Sequence, residues 1–382
     1  MNSIQARDRG SVAEGTVMVA MSGGVDSAVA AALLARSGRR VVGVSLRLHD
    51  ASQQGGAGRC CSPEDFRDAR LVAGLLGFPY FVLDYEREFR QAVLSRFVEE
   101  YRQGRTPSPC VSCNTAVKFG ALLARAREVG ASKVATGHYA RIRRHPDGRY
   151  SLHAAADSSK DQSYFLFGLD QKQLSRSEFP VGELTKAEVR KIARKLGLAV
   201  ADKPESQDIC FVPDGDYRAV IHREAGDLGR AGTIAKRSGE VLGRHGGVAG
   251  YTVGQRRGLG VSSGNPLYVL EVHPASGTIV VGSREELMAE RLFASGWHWL
   301  PGGDPDGPVD GVLKIRHRHP GAPAKVEPLG GGRVRAVFET PQRAVAPGQA
   351  AVLYRGSEVV GGGWIEAPTS VMMRPARSPE RA

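Results

Sequence analysis

The sequence lacks an apolar run long enough to cross a membrane, and its first sixteen residues lack the hydrophobic core of a secretory signal. Cysteine is also scarce: five residues, an odd number in so long a chain, argue against the disulfide framework of a secreted domain. Neither an internal repeat nor a long low-complexity tract is present. These absences predict a cytoplasmic protein with no membrane partner, and we expect it to be a monomer.

The chain is long and basic. Its 382 residues are enough for two or three domains with a sizeable core. A formal charge of +12 arises from 52 Lys+Arg against 40 Asp+Glu. Such a surplus attracts the phosphate backbone of a nucleic acid through the release of counterions. Charge alone leaves a merely solvated basic surface as an equal alternative.

A Ser/Gly turn near the N-terminus is the strongest local signal. An apolar run at 17–20 leads into it as a buried strand, and an alanine-rich run from Ser27 leads out of it as a helix. N–H groups at a helix start point at a bound anion, glycines allow close approach, and serine hydroxyls donate further hydrogen bonds. The turn carries no lysine, so it is not a Walker loop, and an ordinary βα turn is the alternative. The predicted phosphate site consists of Met21, Ser22, Gly23, Gly24, Val25, Asp26 and Ser27.

Alternating strands and helices up to about residue 212 predict an α/β domain built on a doubly wound parallel sheet. Ser62 with Asp65 and Thr185 with Glu188 predict capped helix starts, and the Pro-Asp-Gly turn at 146–148 predicts a β-hairpin. Predicted strands end near Gly23, Leu46 and Gly137, at the edge where such sheets bind ligands. Farther on, short alternating runs separated by glycines predict two small β-rich domains with few helices, the last a β-barrel. The predicted divisions are a disordered tail at 1–16, the α/β domain at 17–212, a central β domain at 213–285, the β-barrel at 286–370 and a disordered tail at 371–382.

Three cysteines lie in segments typical of reactive thiols. Cys110 and Cys113 lie in a proline-punctuated loop before a helix predicted at 117–129. The helix dipole and Lys118 would lower the pKa of the Cys113 thiol and favour its thiolate. Cys210 lies where the α/β part meets the β-rich part. Cytosolic cysteines in such loops are more often catalytic or metal-binding than disulfide-forming.

Several longer motifs recur together in one family. The turn at 21–27 resembles the SGGxDS loop of the N-type ATP pyrophosphatases, the PP-loop enzymes, which cleave ATP between its α and β phosphates. The other motifs are the loop around Cys113, ATGHY at 135–139, KDQSYFL at 160–166, FPVGEL at 179–184, DICF at 208–211 and YTVGQRRGLG at 251–260. Together they resemble the bacterial tRNA-specific 2-thiouridylases, from about residue 17 to about residue 367.

This resemblance implies ATP-dependent 2-thiolation of the wobble uridine in the tRNAs for Lys, Glu and Gln. Oxide cannot leave a pyrimidine carbonyl, so ATP adenylates the C2 oxygen, and AMP and pyrophosphate are released. The resemblance implies that Cys210 carries sulfur as a persulfide. Cys113 is then either the first nucleophile or the thiol that frees the sulfur by forming a disulfide with Cys210. The sulfur donor would be a cysteine desulfurase or a sulfur-relay protein.

The family also implies ligand contacts at matching positions. Leu46 and Gly137 would join the turn in binding ATP. The positions that match tRNA contacts are Ser108, Pro109, Cys110, His138, Lys160, Asp161, Gln162, Arg316, His317 and Gln349. Taken singly, an exposed Lys or Arg is more often a solvated side chain. A basic side chain at a phosphate positions the RNA, whereas the flipped base is selected inside a pocket.

Cys110 departs from the family pattern, because several members carry Asp there. It forms a Cys-x-x-Cys pair with Cys113, which by itself is a weak zinc signal. Cys110, Cys113 and Cys210 could instead ligate a [4Fe–4S] cluster whose open iron holds hydrosulfide, in place of the persulfide. Mg²⁺ is expected with the polyphosphate beside Asp26, although Asp26 could instead cap the helix.

Two other functions remain open at this point. Another adenylating PP-loop enzyme acting on tRNA would not need Cys113 and Cys210. A non-catalytic tRNA-binding protein with a vestigial nucleotide site would bind RNA with a strong salt dependence but release no AMP.

Overall fold

Three sheets and the helices packed on them form the described part of the chain, which comprises residues 15–49, 62–205, 209–212 and 215–368 of a computed structural model. The strands are β1 Val17–Ala20, β2 Val41–Arg47, β3 Tyr80–Asp84, β4 Lys133–Thr136, β5 Ala140–Arg144, β6 Tyr150–Ala154, β7 Ser177–Glu178, β8 Gly232–Lys236, β9 Val241–His245, β10 Tyr268–His273, β11 Thr278–Gly282, β12 Met288–Trp299, β13 Val309–Lys314, β14 Ala322–Gly330, β15 Arg333–Arg343, β16 Ala350–Arg355 and β17 Glu358–Ile365.

The first sheet is parallel throughout, with strand order β3-β2-β1-β4-β7. Its central strand β1 is buried, as its continuous apolar sequence predicts. Helices cover both faces, which confirms the predicted α/β domain. Because β1 lies between β2 and β4, the turn that follows it opens at the middle of the carboxyl edge of the sheet.

Capping residues define where several helices begin. Ser62 and Asp65 form a capping box at the start of α2, and Thr185 and Glu188 form another at Lys186–Lys195, as the sequence predicts. Two longer helices, at 86–102 and 109–128, each contain a π-helical stretch. The helices are α1 Val25–Arg36, α2 Pro63–Leu76, the consecutive segments Glu86–Phe89, Arg90–Leu94 and Ser95–Arg102, the consecutive segments Pro109–Ser112, Cys113–Ala121 and Leu122–Glu128, then Gln171–Ser175, Lys186–Lys195 and Tyr217–Ala225, with 3-10 turns at Ser163–Phe165, Val248–Gly250 and Glu285–Leu287.

The β-rich part contains a four-stranded sheet and a barrel. The sheet has strand order β10-β11-β8-β9. In the barrel, β12-β15-β14-β13-β16-β17 closes through pairing of β12 with β17, which confirms the predicted C-terminal β-barrel. The hairpin β5–β6, predicted around its Pro-Asp-Gly turn, joins the outer side of β17 through Glu358 and His153. The hairpin therefore connects the first domain to the barrel.

Three expectations need correction. The helix predicted at 117–129 begins at Pro109, so Cys110 and Cys113 lie within it rather than in a loop before it. The helix Tyr217–Ala225 falls in the predicted β-rich region. Thr16, assigned to the N-terminal tail, is buried, and its carbonyl accepts a hydrogen bond from the Ser132 N–H at 2.9 Å.

Residues 1–14 of that tail, the C-terminal tail from 371 and Asp208 of the DICF motif lie outside the described residues, as do Cys60 and Cys61. Among the described residues, no helix combines the length and the apolar character that a membrane crossing needs.

Candidate active site

The turn between β1 and α1 has the conformation of an anion site. Gly23 has φ of +72°, in the left-handed region, and Gly24 is the extended N-cap of α1. No side chain caps this helix, so the N–H groups of its first turn are left for a ligand. The Ser27 hydroxyl donates to the Gly24 carbonyl and accepts from the Ser22 N–H, each at 3.1 Å. The turn therefore holds its own shape, while the exposed Ser22 side chain faces solvent.

Two glycines let neighbouring backbone pack against this turn. A Cβ atom on Gly137 would lie 2.5 Å from the Ser27 nitrogen, and one on Gly23 would lie 2.5 Å from the Asp65 carbonyl oxygen. The end of β4 and the start of α2 thus form two walls of the turn. The side chains of Met21, Val25 and Leu46 are buried in the cores, so at these three positions only backbone atoms are open to a nucleotide.

Asp26 is engaged in a way that the sequence does not reveal. Its carboxylate accepts hydrogen bonds from Lys186 Nζ at 2.7 and 2.8 Å and from the Tyr139 hydroxyl at 2.7 Å. Burial, followed by the hydrogen bond to Asp26, raises the pKa of Tyr139, so it stays a neutral donor. The alternative in which Asp26 caps α1 is not observed. The only sequence signal for Lys186 was its place directly after the cap Thr185.

A second lysine holds the other side of the turn. Lys203 Nζ donates to the Gly23 carbonyl at 3.1 Å, to Asp65 at 2.8 Å and to Asp68 at 2.6 Å. Burial disfavours the ammonium, but the hydrogen bonds to the two carboxylates outweigh it and raise the pKa of Lys203. Sequence reasoning missed Lys203, because 180 positions separate it from Gly23.

The predicted tRNA contacts at 160–162 lie beside this network. Lys160 Nζ pairs with Glu205 at 2.7 Å. Asp161 is buried, and its carboxylate accepts from the N–H groups of Ala155 and Ser163, each at 3.1 Å. Gln162 and Tyr139 exchange two hydrogen bonds, one through the Gln162 side chain at 2.9 Å. Gln162 therefore supports the backbone at Tyr139, whereas Asp161 fixes the backbone at Ala155 and Ser163.

The cysteine-bearing helix begins close to the barrel. Pro109 occupies its first turn, and Cys110 and Cys113, three positions apart, lie on one face. Cys113 is buried and Cys110 half-buried. Gln349 Nε2 donates to the carbonyls of Thr106 and Pro107 at 3.0 and 3.2 Å, so the barrel holds the segment that leads into this helix.

Cys210 packs against the hydrophobic cluster that contains Cys113. The next residue, Phe211, fixes this segment through edge-on contacts with Phe89 and Phe97, with ring centroids 5.4 and 5.0 Å apart. The two predicted reactive thiols, 97 positions apart, therefore lie against one hydrophobic cluster.

A metal cluster on the three cysteines finds no support in their arrangement. Within the residues that the structure describes, no three His, Cys, Asp or Glu side chains are grouped so that they could hold a metal ion. Cys110, Cys113 and Cys210 are thus not arranged as [4Fe–4S] ligands.

The remaining predicted tRNA positions differ in character. His138 is buried; burial, with the nearby Lys118 ammonium, lowers its pKa well below the ordinary value, so the ring is neutral. His317 packs against Phe165 in a tilted arrangement, with ring centroids 4.4 Å apart. Arg316 donates to the Arg343 carbonyl at 3.3 Å. Ser108 and Pro109 line a cavity beside the barrel.

The parallel sheet, the Ser/Gly turn and the uncapped helix define an α/β domain of the PP-loop class. Three family models match successive parts of the chain. They are described as the tRNA methyl transferase HUP domain at 15–214, the tRNA methyl transferase PRC-barrel domain at 220–283 and the aminomethyltransferase beta-barrel domain at 289–365.

Curated relatives match along nearly the whole chain. A tRNA-specific 2-thiouridylase MnmA of Solibacter usitatus is 50% identical over 369 residues, covering 92% of this chain and 100% of the relative. Relatives of the same name from Geobacter metallireducens and Rickettsia rickettsii are 49% and 45% identical, covering 92% of this chain and 96% and 97% of their own lengths. The chain belongs to the tRNA-specific 2-thiouridylase family.

Solved structures are more distant. A 4-thiouridine synthetase–RNA complex with bound ATP is 16% identical, with a TM-score of 0.32, over 52% of this chain and 45% of that one. A likeness at this level supports no functional argument.

Proposed function

We propose that this protein replaces the C2 oxygen of a tRNA uridine, at the wobble position, with sulfur at the expense of ATP. Family membership supports the reaction, and one structural observation connects its two halves. Lys203 and Glu205, which contact the Ser/Gly turn directly or through Lys186, lie only seven and five positions before Cys210. The segment that leads to the sulfur-carrying thiol is therefore attached to the site where ATP would bind.

Adenylation would take place at the turn. The first-turn N–H groups of α1 and the Ser22 hydroxyl would hold the polyphosphate, with the Lys186 and Lys203 ammonium groups beside it. The uridine C2 oxygen attacks the α-phosphorus and pyrophosphate leaves. Mg²⁺ would stabilise that leaving group, with Asp26 as its ligand once Asp26 releases Lys186.

Sulfur transfer would follow on the cysteines. The terminal sulfur of a Cys210 persulfide attacks C2, and AMP departs with the former carbonyl oxygen. The Cys113 thiolate then attacks Cys210 Sγ, which breaks the S–S bond, forms a Cys113–Cys210 disulfide and leaves the sulfur on C2. An external thiol must reduce this disulfide before the next turnover. In the other order, Cys113 acts first as the nucleophile.

The test is reconstitution from anaerobically purified protein, unmodified tRNA, Mg-ATP, a cysteine desulfurase and a thiol reductant. We expect ATP-dependent 2-thiouridine in the digested tRNA by mass spectrometry. The Cys113→Ala and Cys210→Ala variants should lose it and still release pyrophosphate, whereas Cys110→Ala should retain it. Loss in the Cys110→Ala variant as well, together with iron in the protein, would favour the cluster.

Other results would contradict the proposal. AMP formation without thiolated base would indicate a different adenylating enzyme. tRNA binding without AMP release would indicate a binding protein, and an added methyl group would indicate the chemistry named in the family-model descriptions.

A further inference from the structure

The YTVGQRRGLG motif at 251–260 forms a braced loop that carries two exposed arginines, Arg256 and Arg257. The side-chain carbonyl of Gln255 accepts from the Thr252 N–H at 3.1 Å, and its amide donates to the Arg257 carbonyl at 3.0 Å. These bonds hold the backbone that carries both guanidinium groups. No step of the proposed reaction uses this loop.

The loop packs against the barrel at a residue with an unusual backbone conformation. Ala344 has φ of +58°, and among the described residues it is the one non-glycine position in the left-handed region. Its N–H donates to the Leu287 carbonyl at 3.1 Å, and a Cβ atom on Gly254 would lie 2.7 Å from the Ala344 Cβ. Such a conformation persists where the surroundings enforce it, and it is common at ligand clamps. Ala344 therefore joins the loop to the end of β15.

Two more arginines lie at this junction. Arg343 directly precedes Ala344, is exposed, and its carbonyl accepts from Arg316 Nη1 at 3.3 Å. Burial, followed by the charge of Arg343, lowers the pKa of Arg316. The fold thus holds a half-buried guanidinium beside a second one against their mutual repulsion.

The four arginines differ from others nearby in lacking a carboxylate partner. Arg237 pairs with Glu271 and Glu286, and Arg335 pairs with Glu327. In the part of the chain that the structure describes, no Asp or Glu forms an ion pair with the four, which we call the junction arginines: Arg256, Arg257, Arg316 and Arg343. A solvated basic face would explain the exposed members, but it does not explain the paired cations at Arg316. Cations held together without compensation favour the binding of an anion.

We propose that the junction arginines bind backbone phosphates of tRNA, with one half of the site on the barrel and the other on the central β domain. This inference rests on the proposed function, and it goes beyond the positions that match tRNA contacts in the family, which include Arg316 alone of the four. Phosphate is the fitting ligand, because a guanidinium group donates two parallel hydrogen bonds to it. The cations come from two domains and three of them are exposed, so they suit an extended RNA backbone better than a single nucleotide in a pocket.

Filter binding of unmodified tRNA to the full-length protein across a salt series tests the proposal. Each phosphate contact adds about one to the magnitude of the slope of log affinity against log salt. We expect Arg343→Gln, and the loop variant that combines Arg256→Gln with Arg257→Gln, each to lower this magnitude by about one or more. Both should raise the KM for tRNA in thiolation and keep kcat, because phosphate contacts position the RNA and take no part in the chemistry.

Two control variants separate this role from a structural one. Arg335 lies on β15, like Arg343, but is already paired with Glu327, so Arg335→Gln should keep the native slope. Arg343→Lys should also keep it, because an ammonium group neutralises a phosphate as well. Thermal unfolding should find all of these variants folded.

The outcomes distinguish this inference from the proposed function. Native slopes in both Gln variants, with tRNA still bound, would overturn the inference and leave the proposed function standing. Weaker ATP binding by these variants in calorimetry would assign the site to a nucleotide and overturn it too. Native tRNA affinity with slower sulfur transfer from the cysteine desulfurase would overturn it in favour of an acidic protein partner. Failure of the native protein to bind tRNA would overturn both proposals.

Discussion

At the scale of single residues, Gly23 and Gly38 make a matched pair. Both have φ in the left-handed region, at +72° and +80°, but an added Cβ meets Asp65 backbone at 2.5 Å on Gly23 and open space on Gly38. We expect Gly38→Ala to cost about 1 kcal/mol of unfolding free energy, from backbone strain alone. Gly23→Ala should cost clearly more and also weaken ATP binding, because the turn must move off α2. Urea unfolding and nucleotide calorimetry measure the two effects, and equal behaviour of the variants would contradict this account.

Lys203 gives a prediction about pH. Its hydrogen bonds to Asp65 and Asp68 raise its pKa in the folded state above the unfolded value of about 10.4. A raised lysine pKa stabilises the fold fully below the unfolded pKa, and the contribution is lost as the pH rises through the folded pKa. Thermal unfolding should therefore show Lys203→Met less stable than the native protein at pH 7–10, with the gap closing at higher pH. Lys195→Met, an exposed change at the end of another helix, should show no such gap.

At the scale of elements, the capping box at Thr185 both starts a helix and positions Lys186. The Thr185 hydroxyl accepts from the Glu188 N–H at 3.3 Å, and the Glu188 carboxylate accepts from the Thr185 N–H at 2.7 Å. We expect Thr185→Ala to cost about 1 kcal/mol of stability and to weaken ATP binding by displacing Lys186. Asp170 forms the same kind of box at Gln171–Ser175 and has no contact with the nucleotide site. Asp170→Ala should therefore lose similar stability and keep its ATP affinity; parallel losses of affinity would contradict the role given to Thr185.

Features that depend on neighbouring residues could be predicted from the sequence, whereas features that depend on contacts between distant residues could not. Strands such as β1 and caps such as Ser62 depend on neighbouring residues, and both were predicted correctly. The sequence analysis did not predict that this helix starts at Pro109, because the serines, prolines and cysteines there have low helix propensity. The contact of Gln349 with the preceding segment overrides this local preference. The contacts of Asp26 with Lys186 and of Gly23 with Lys203 join residues 160 and 180 positions apart, and no local pattern encodes them.

At the scale of the whole molecule, the barrel and the first domain contribute jointly to the candidate site. The hairpin β5–β6 begins directly after Tyr139, which contacts Asp26, and its second strand pairs with β17 of the barrel. Just before the cysteine-bearing helix, Thr106 packs closely against Gly348 of the barrel domain. A Cβ atom added to Gly348 would lie 2.9 Å from the Thr106 nitrogen. Motif reading located the two thiols and the turn separately. The packing that places both thiols against one hydrophobic cluster depends on distant parts of the chain.

The net charge of +12 leads to a prediction about tRNA binding. If six to ten phosphates are contacted, affinity should fall by about a thousandfold or more between 50 and 200 mM salt. Arg143 and Arg144 are exposed on the hairpin that leaves the nucleotide edge, and no carboxylate pairs with them in the described part of the chain. Reversing both to Glu should reduce the magnitude of the slope of log affinity against log salt by about two, whereas Arg36→Glu, exposed at the far end of α1, should leave it unchanged. Filter binding across a salt series measures the slopes, and equal slopes for the two variants would place the RNA on another face of the molecule.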